Sequence, residues 1–266
     1  MSGKTTRAIR RKLVQPIAAV LKKPPARFII VSRGRSGSNL LVSLLNSHPA
    51  VRVHGDVLGE SILRDPDRKA EILSEGPREY VKRCLDRNLF ESTIGAKVLY
   101  YQLERDYEET WGLPGLTDVR EFLRSESDIK VIHLKRLNRL KTFASIHVAA
   151  ITKEFISRNR SGGAGHVRIS LAPGDCEREF KQIGQWERDY DEFFEDHEIF
   201  DACYETLVAR WQEEFDRILD FLDVPRRILR TNLQKQRSKH LSETIENYEE
   251  LKAHFSGTEW STFFED

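Results

Sequence analysis

The chain has 266 residues, 39% of them hydrophobic and 32% charged, with a formal net charge of +1, which describes a surface-rich globular protein long enough for one large α/β domain. No run approaches the roughly 20 apolar residues of a membrane span and the N-terminus lacks the apolar stretch of a signal peptide, so a cytoplasmic location is expected. Three cysteines, Cys84, Cys176 and Cys203, are too few and too scattered for a disulfide framework or a zinc site, and read as reduced thiols.

The near-neutral total hides an asymmetry. The first 55 residues hold eleven Lys and Arg and no carboxylate, Asp56 being the first acidic residue. Residues 1–26 form a basic arm in which Ile9, Leu13, Ile17, Val20 and Leu21 can line one side of a helix interrupted near Pro16. Such a segment can lie on an anionic membrane surface, which would bring residues 4–27 to the inner face of the membrane. The competing reading is an arm that packs on its own domain or stays partly unstructured. Residues 27–266 read as a single domain.

Phe28, Ile29, Ile30 and Val31 form a continuous apolar run, the pattern of a strand covered on both faces of a parallel sheet. The turn Arg33, Gly34, Arg35, Ser36, Gly37, Ser38 follows, and Leu40, Leu41, Leu44 and Leu45 then recur at helical spacing. A strand, a glycine turn and a helix start gather backbone N–H groups and the positive helix end around one point, where an anion is favoured. Arg35 can hold two oxygens of a tetrahedral anion at once, and Ser38 can donate from the first helical turn. The turn is not a Walker loop, because two residues rather than four separate Gly34 from Gly37 and no lysine follows. An ordinary strand-to-helix turn with a serine cap would look the same on this stretch alone.

Further along, residues 51–56 read as a second strand, on which His54 and Asp56 share a face if the period of two holds across Gly55. Strands of a parallel sheet end on one side, where ligands sit, so Asp56 is a candidate base, with Glu60 a second; a helix cap is the plainer role for Asp56. A helix is predicted over 77–90 and a third strand over 94–100, in which Lys97 either reaches out at a sheet edge or points at a bound anion. The edge is the simpler choice. A helix over 117–127 precedes a buried strand at 130–135, whose exit carries Arg136, Asn138 and Ser145. Asn138 suits the N-cap of a helix running to Phe155, and Ser145 lies two turns further on nearly the same side. Residues 158–173 are glycine-rich and read as a mobile loop that covers substrate or merely links elements. Helices follow over 175–196 and 209–222, with a strand at 199–204 between them. The first of these helices carries an aromatic stripe expected to be core, Trp186 being the member that can face a cleft. A basic loop at 231–240 leads into a single helix over 241–255.

The two loops together, RSGS before a leucine-rich helix closing on NSHP, and Arg-x-Asn with a serine about a hundred residues later, resemble the sulfotransferase superfamily. The closer likeness is to bacterial carbohydrate sulfotransferases of the trehalose and nodulation-factor type, and it continues in GAKVLYYQL at 95–103, YETL at 204–207, KQRSKHLSETIENYEEL at 235–251 and GTEW at 257–260. The resemblance implies a P-loop NTPase-like three-layer α/β fold with a mainly parallel sheet, and 3′-phosphoadenosine-5′-phosphosulfate (PAPS) as donor. By it Arg33, Gly34, Arg35, Ser36, Gly37, Ser38 and Asn39 would hold the 5′-phosphosulfate, Arg136 and Ser145 the 3′-phosphate, and Lys235, Gln236 and Arg237 would reach the 3′-phosphate and adenine side. Asp56 stands where the family places its base, His54 and Glu60 remain substitutes, and Lys97 becomes a helper at the transferred sulfonate. No metal is implied, the acceptor would be a hydroxyl of a carbohydrate or glycolipid, or else of a small natural product, and relatives are often homodimers. Sulfuryl transfer, like phosphoryl transfer, is in-line and loose, so the needs are positioning, charge stabilisation and proton removal.

Two other classes stand beside this one. A nucleotide kinase is opposed by the missing Gly-Lys-Ser/Thr, and a non-catalytic phosphate-binding module at a membrane surface would rest on the basic arm. Nucleic-acid binding is not expected, since basic residues are not interleaved with aromatics along one face.

Overall fold

The computed structural model describes residues 25–86, 91–152, 167–231, 233 and 240–265. In chain order these give β1 (Ala26–Ser32), α1 (Ser38–Leu45), β2 (Val51–Asp56), α2 (Glu60–Leu63), α3 (Pro66–Glu75), α4 (Pro77–Asp86) and β3 (Thr93–Leu99). A 3-10 turn (Tyr100–Leu103) leads to α5 (Arg105–Trp111), α6 (Leu116–Ser125), β4 (Lys130–Lys135), α7 (Arg139–Thr152), α8 (Pro173–Phe193) and β5 (Ile199–Cys203). Then come α9 (Tyr204–Ala209), α10 (Trp211–Phe221), α11 (Leu241–Thr244) and α12 (Tyr248–His254).

The five strands form one sheet in the order β2-β3-β1-β4-β5, with every pairing parallel. This is the P-loop-like arrangement the sequence led us to expect. Parallel pairing puts all five strand exits on one edge of the sheet. The chain leaves β1 toward β2 on one side and leaves β4 toward β5 on the other, so β1 and β4 flank the crevice where the winding reverses.

Alternation along the strands divides the core. Ile29, Val31, Ala96, Val98 and Val131 pack with α4, α6 and part of α8, whereas Phe28, Ile30, Ile132 and Leu134 pack with α1 and α10. Because both faces are covered, β1 reads as a continuous apolar run, and Phe28 to Val31 are fully buried. Gly95 sits opposite Phe28 in the ladder, and a Cβ there would come within 2.4 Å of its ring. A third cluster joins Leu140 and Phe143 of α7 to Phe180, Leu251, Phe255 and Trp260, so α7 is clamped from behind by the C-terminal segment.

Several expectations are corrected. β3 ends at Leu99, and Tyr100 instead starts the 3-10 turn, where the Gln102 side chain accepts from the Leu99 N–H at 2.9 Å. The single helix expected over 241–255 is broken between α11 and α12. There Ile169 pairs with Ile245, and the Asn247 side chain bonds both the N–H and the C=O of Leu171 at 3.1 and 2.8 Å. A neighbouring chain segment thus takes backbone groups that helix continuation would have used. Helices α3 and α5 were not foreseen. His54 and Asp56 do not share a face: β2 bulges at Gly55, so that His54 aligns with Ala96 but Asp56 with Lys97, its successor. Among the described residues no helix is long and apolar enough to cross a membrane.

Candidate active site

The turn between β1 and α1 is held by backbone conformations that only some residues tolerate. Gly37 has φ +92°, and a Cβ on it would lie 2.3 Å from the Tyr204 ring, so this position requires glycine twice over. Gly34 has room for a Cβ, the nearest atom being Leu99 Cδ1 at 3.6 Å. Arg35 itself has φ +71°, a strained setting for a non-glycine residue and one that turns its side chain toward α7. Gly37 is the N-cap of α1 and supplies no side chain to close the first turn, while Ser36 and Ser38 are buried.

The exit of β4 meets this turn. Arg35 Nε donates to Ser145 Oγ at 3.0 Å, and Arg136 Nη1 donates to the Arg35 carbonyl at 3.1 Å. Asn138 caps α7, accepting from the Lys141 N–H at 2.9 Å, and its amide donates to the Phe263 carbonyl at 2.9 Å. Arg136 lies over the Tyr204 ring at 4.8 Å, and its buried Nε has no hydrogen-bond partner. Glu205 Oε1 is 4.0 Å from it, but that carboxylate accepts instead from the Leu137 and Asn138 N–H groups. Burial holds both arginines below the usual guanidinium range, and Arg136 pushes Arg35 down further.

The third part comes from β2 and β3. Lys97 is buried in a central strand, not at an edge, because β3 lies between β2 and β1. Its ammonium donates to Asn39 Oδ1 in the first turn of α1 at 2.8 Å and stands 3.6 Å from Asp56 Oδ2. Gln102 Nε2 donates to Asp56 Oδ1 at 2.6 Å. Asp56 does not cap α2, whose N-cap is Gly59; its carboxyl lies against Gly59 so closely that a Cβ there would come within 2.5 Å. Burial raises the Asp56 carboxyl above its ordinary range against the opposing pull of Lys97, and burial lowers Lys97.

No family model matches the chain. A sulfotransferase from Alicyclobacillus acidocaldarius and the sulfotransferase domain from the curacin biosynthetic pathway are 15% and 16% identical to it, at TM-scores of 0.46 and 0.42. The matches cover 88% and 77% of this chain and 92% and 76% of theirs, and are too loose to bear on the site. The sequence relatives reach further. Nodulation protein H of Rhizobium meliloti is 27% identical over 252 residues, covering 91% of this chain and 96% of that protein, and Nodulation protein H of Rhizobium tropici is 26% identical over 245 residues, covering 91% and 94%. The likeness to the nodulation-factor type read from the two loops is therefore matched along almost the whole chain. The chain is similar to Nodulation protein H over nearly all of its length.

The remaining candidates fall in different places. Arg33 leaves the anion turn and is paired with Glu179 of α8 at 2.8 Å, between the rings of Tyr101 and Trp186, each 5.5 Å away. His54 faces the other side of β2 from Asp56, its buried Nε2 has no hydrogen-bond partner, and burial with Arg52 and Arg83 lowers its basicity. Glu60 is exposed and pairs with Arg64 at 3.0 Å. Lys235, Gln236 and Arg237, like the basic arm and most of the glycine-rich loop, lie outside the described residues. Sequence reasoning missed Gln102, Tyr204 and Glu205. The segments GAKVLYYQL and YETL carried them, yet nothing in their spacing says that they support two distant loops.

The one group of ligand-type side chains close enough to hold a metal among the described residues is His133, Asp191 and Asp201. Lys135 Nζ already bonds both carboxylates at 2.8 Å, so an ammonium occupies the centre of that group.

Proposed function

We propose that this protein is a sulfotransferase that transfers a sulfuryl group from PAPS to a hydroxyl of a carbohydrate or glycolipid acceptor and releases adenosine 3′,5′-bisphosphate. The observation that carries the reading is the meeting of Arg35 and Arg136, two half-buried cations from separate strand exits, beside the open first turn of α1. Like charges held together in a poorly solvated place are relieved by a multiply charged anion, and the unpartnered Arg136 Nε gives such an anion a donor. The residues present therefore fit the donor nucleotide. Ser36, Gly37, Ser38 and Asn39 with Arg35 would bind its 5′ end, and Arg136 with Ser145 its 3′-phosphate.

Asp56 is the base in this reading, because of the three candidates it alone shares a face with Lys97 and Asn39. Gln102 and Lys97 fix its two oxygens, and its raised proton affinity suits proton removal from an alcohol. The acceptor oxygen forms its bond to sulfur as the bond from sulfur to the 5′-phosphate oxygen breaks, and the acceptor proton goes to Asp56. Lys97 and Arg35 neutralise charge on the sulfonate and leaving oxygens. The test is incubation with ³⁵S-labelled PAPS and cell-envelope or metabolite extracts, followed by mass analysis. Label on a glycan or glycolipid hydroxyl is expected. Magnesium-dependent ATP consumption without sulfate transfer would move the chain to the kinase class.

A further inference from the structure

Beside the donor turn the surface opens into a cleft of about 430 Å³ between the 3-10 turn, α5 and the middle of α8, lined among others by Tyr101, Tyr107, Thr110, Gln182 and Trp186. Its aromatic wall is rigid. Tyr101 and Tyr107 stand 5.5 Å apart, Tyr107 donates to the Leu58 carbonyl, and the Arg33 guanidinium is fixed between Tyr101 and Trp186 by Glu179. The cleft adjoins the chemistry through Tyr101, whose ring lies close to Gly34 of the donor turn and whose neighbour Gln102 holds Asp56. Burial raises both phenols, Tyr101 to about 12, and the Asp56 charge adds to the rise.

The polar lining has no cationic cluster. Its charged members are Glu104, Arg105 and Asp106, and Arg105 is paired with Glu109 at 3.1 Å. An anionic acceptor would meet Glu104 and Asp106, while the cations nearby already have carboxylate partners, Arg105 in Glu109, Arg33 in Glu179 and Lys97 in Asp56. An uncharged sugar ring offers an apolar C–H face to the aromatic wall and hydroxyls to Gln182, Thr110 and Glu104. Mostly apolar walls with a few polar groups are the usual composition of such sites.

We propose that this cleft is the acceptor site, and that it takes a neutral sugar ring laid against Trp186 and Tyr101 with one hydroxyl turned toward Asp56. This rests on Asp56 being the base, and the experiment separates the two readings. Full-length protein saturated with adenosine 3′,5′-bisphosphate is titrated with cellobiose, maltose, trehalose and N,N′-diacetylchitobiose, and in parallel with 4-nitrophenol and a glucuronic-acid disaccharide, by saturation-transfer NMR.

At least one neutral disaccharide should bind. W186A should weaken it about tenfold or more, W186F should retain most of the affinity, and affinity for the bisphosphate should be unchanged in both. Trp186 is only partly buried, and a melting curve checks that each variant is folded. Neutral-sugar binding untouched by W186A would overturn the placement. Binding of the phenol or the glucuronide alone, or of none of the probes, would overturn the acceptor class. Failure of the wild type to bind the bisphosphate would sink the donor assignment instead.

Discussion

Asp56 is pulled two ways, by burial that favours its neutral form and by Lys97 that favours its charge. Because the base must be ionised, activity should rise with pH through the raised Asp56 value. Removing Lys97 removes the influence that holds that value down, so Lys97→Met should move the acid limb of the kcat profile to higher pH and lower the maximum. An unmoved limb would show that another group titrates there. Asp56→Asn keeps the bond pattern to Gln102 available and removes the base, so turnover should fall by about 10²-fold or more while affinity for adenosine 3′,5′-bisphosphate, read by calorimetry, is kept. Arg136→Ala should do the reverse, weakening the bisphosphate by about 10- to 100-fold, the worth of a charged hydrogen bond. Arg35 and Arg136 were singled out in the sequence because they follow strands in short turns, and Ser38 and Ser145 because they lie on the helices that follow those turns. Gln102 was not, since a glutamine in a turn has many uses and only its contact with Asp56 selects one.

The turn before α1 and the start of α9 act as a pair of elements, since Tyr204 fills the space that Gly37 leaves and carries Arg136 on its ring. Gly37→Ala should therefore cost about 1–3 kcal/mol in stability, from the left-handed backbone and the displaced ring together. Adding Tyr204→Ala should recover only the part due to the ring, and a double-mutant cycle by urea unfolding separates the two. Full recovery would mean that the backbone angle carries no strain. Strand β4 and helix α1 could be placed from the sequence because an apolar run and a 3.6 period are local signals. Helix α3 was equally legible and was passed over: Asp65 accepts from the Asp67 and Arg68 N–H groups and Pro66 follows it, an ordinary start signal. The break between α11 and α12 was not legible, because the competing partner, residues 169–171, lies more than seventy positions away.

At the scale of the molecule, the sheet is tied to α8 and the 3-10 turn by a buried polar chain in which His133 meets Tyr100 Oη at 2.6 Å and Asp191 at 2.7 Å. Burial and Lys135 push the His133 imidazole down to about 4, outweighing the opposing pull of Asp191 and Asp201. A histidine depressed in the fold stabilises it above its ordinary value near 6.5, and that contribution is lost as pH falls toward about 4, because the unfolded chain gains the proton first. Unfolding free energy from urea titrations should thus decline between pH 6.5 and 4 more steeply in the wild type than in His133→Gln, and equal slopes would contradict the assignment. The sequence by itself determined the alternation of strands and helices, the two loops and the family they resemble, because these depend on residue type and short spacing. Tertiary structure decided which loop meets which. The strand order brings β1 beside β4 and so Arg35 beside Arg136; the bulge at Gly55 turns Asp56 away from His54 and onto Lys97; and the interior place of β3 makes Lys97 a buried partner of both Asn39 and Asp56. Each is a contact between residues far apart in the chain, fixed only once the sheet has been assembled.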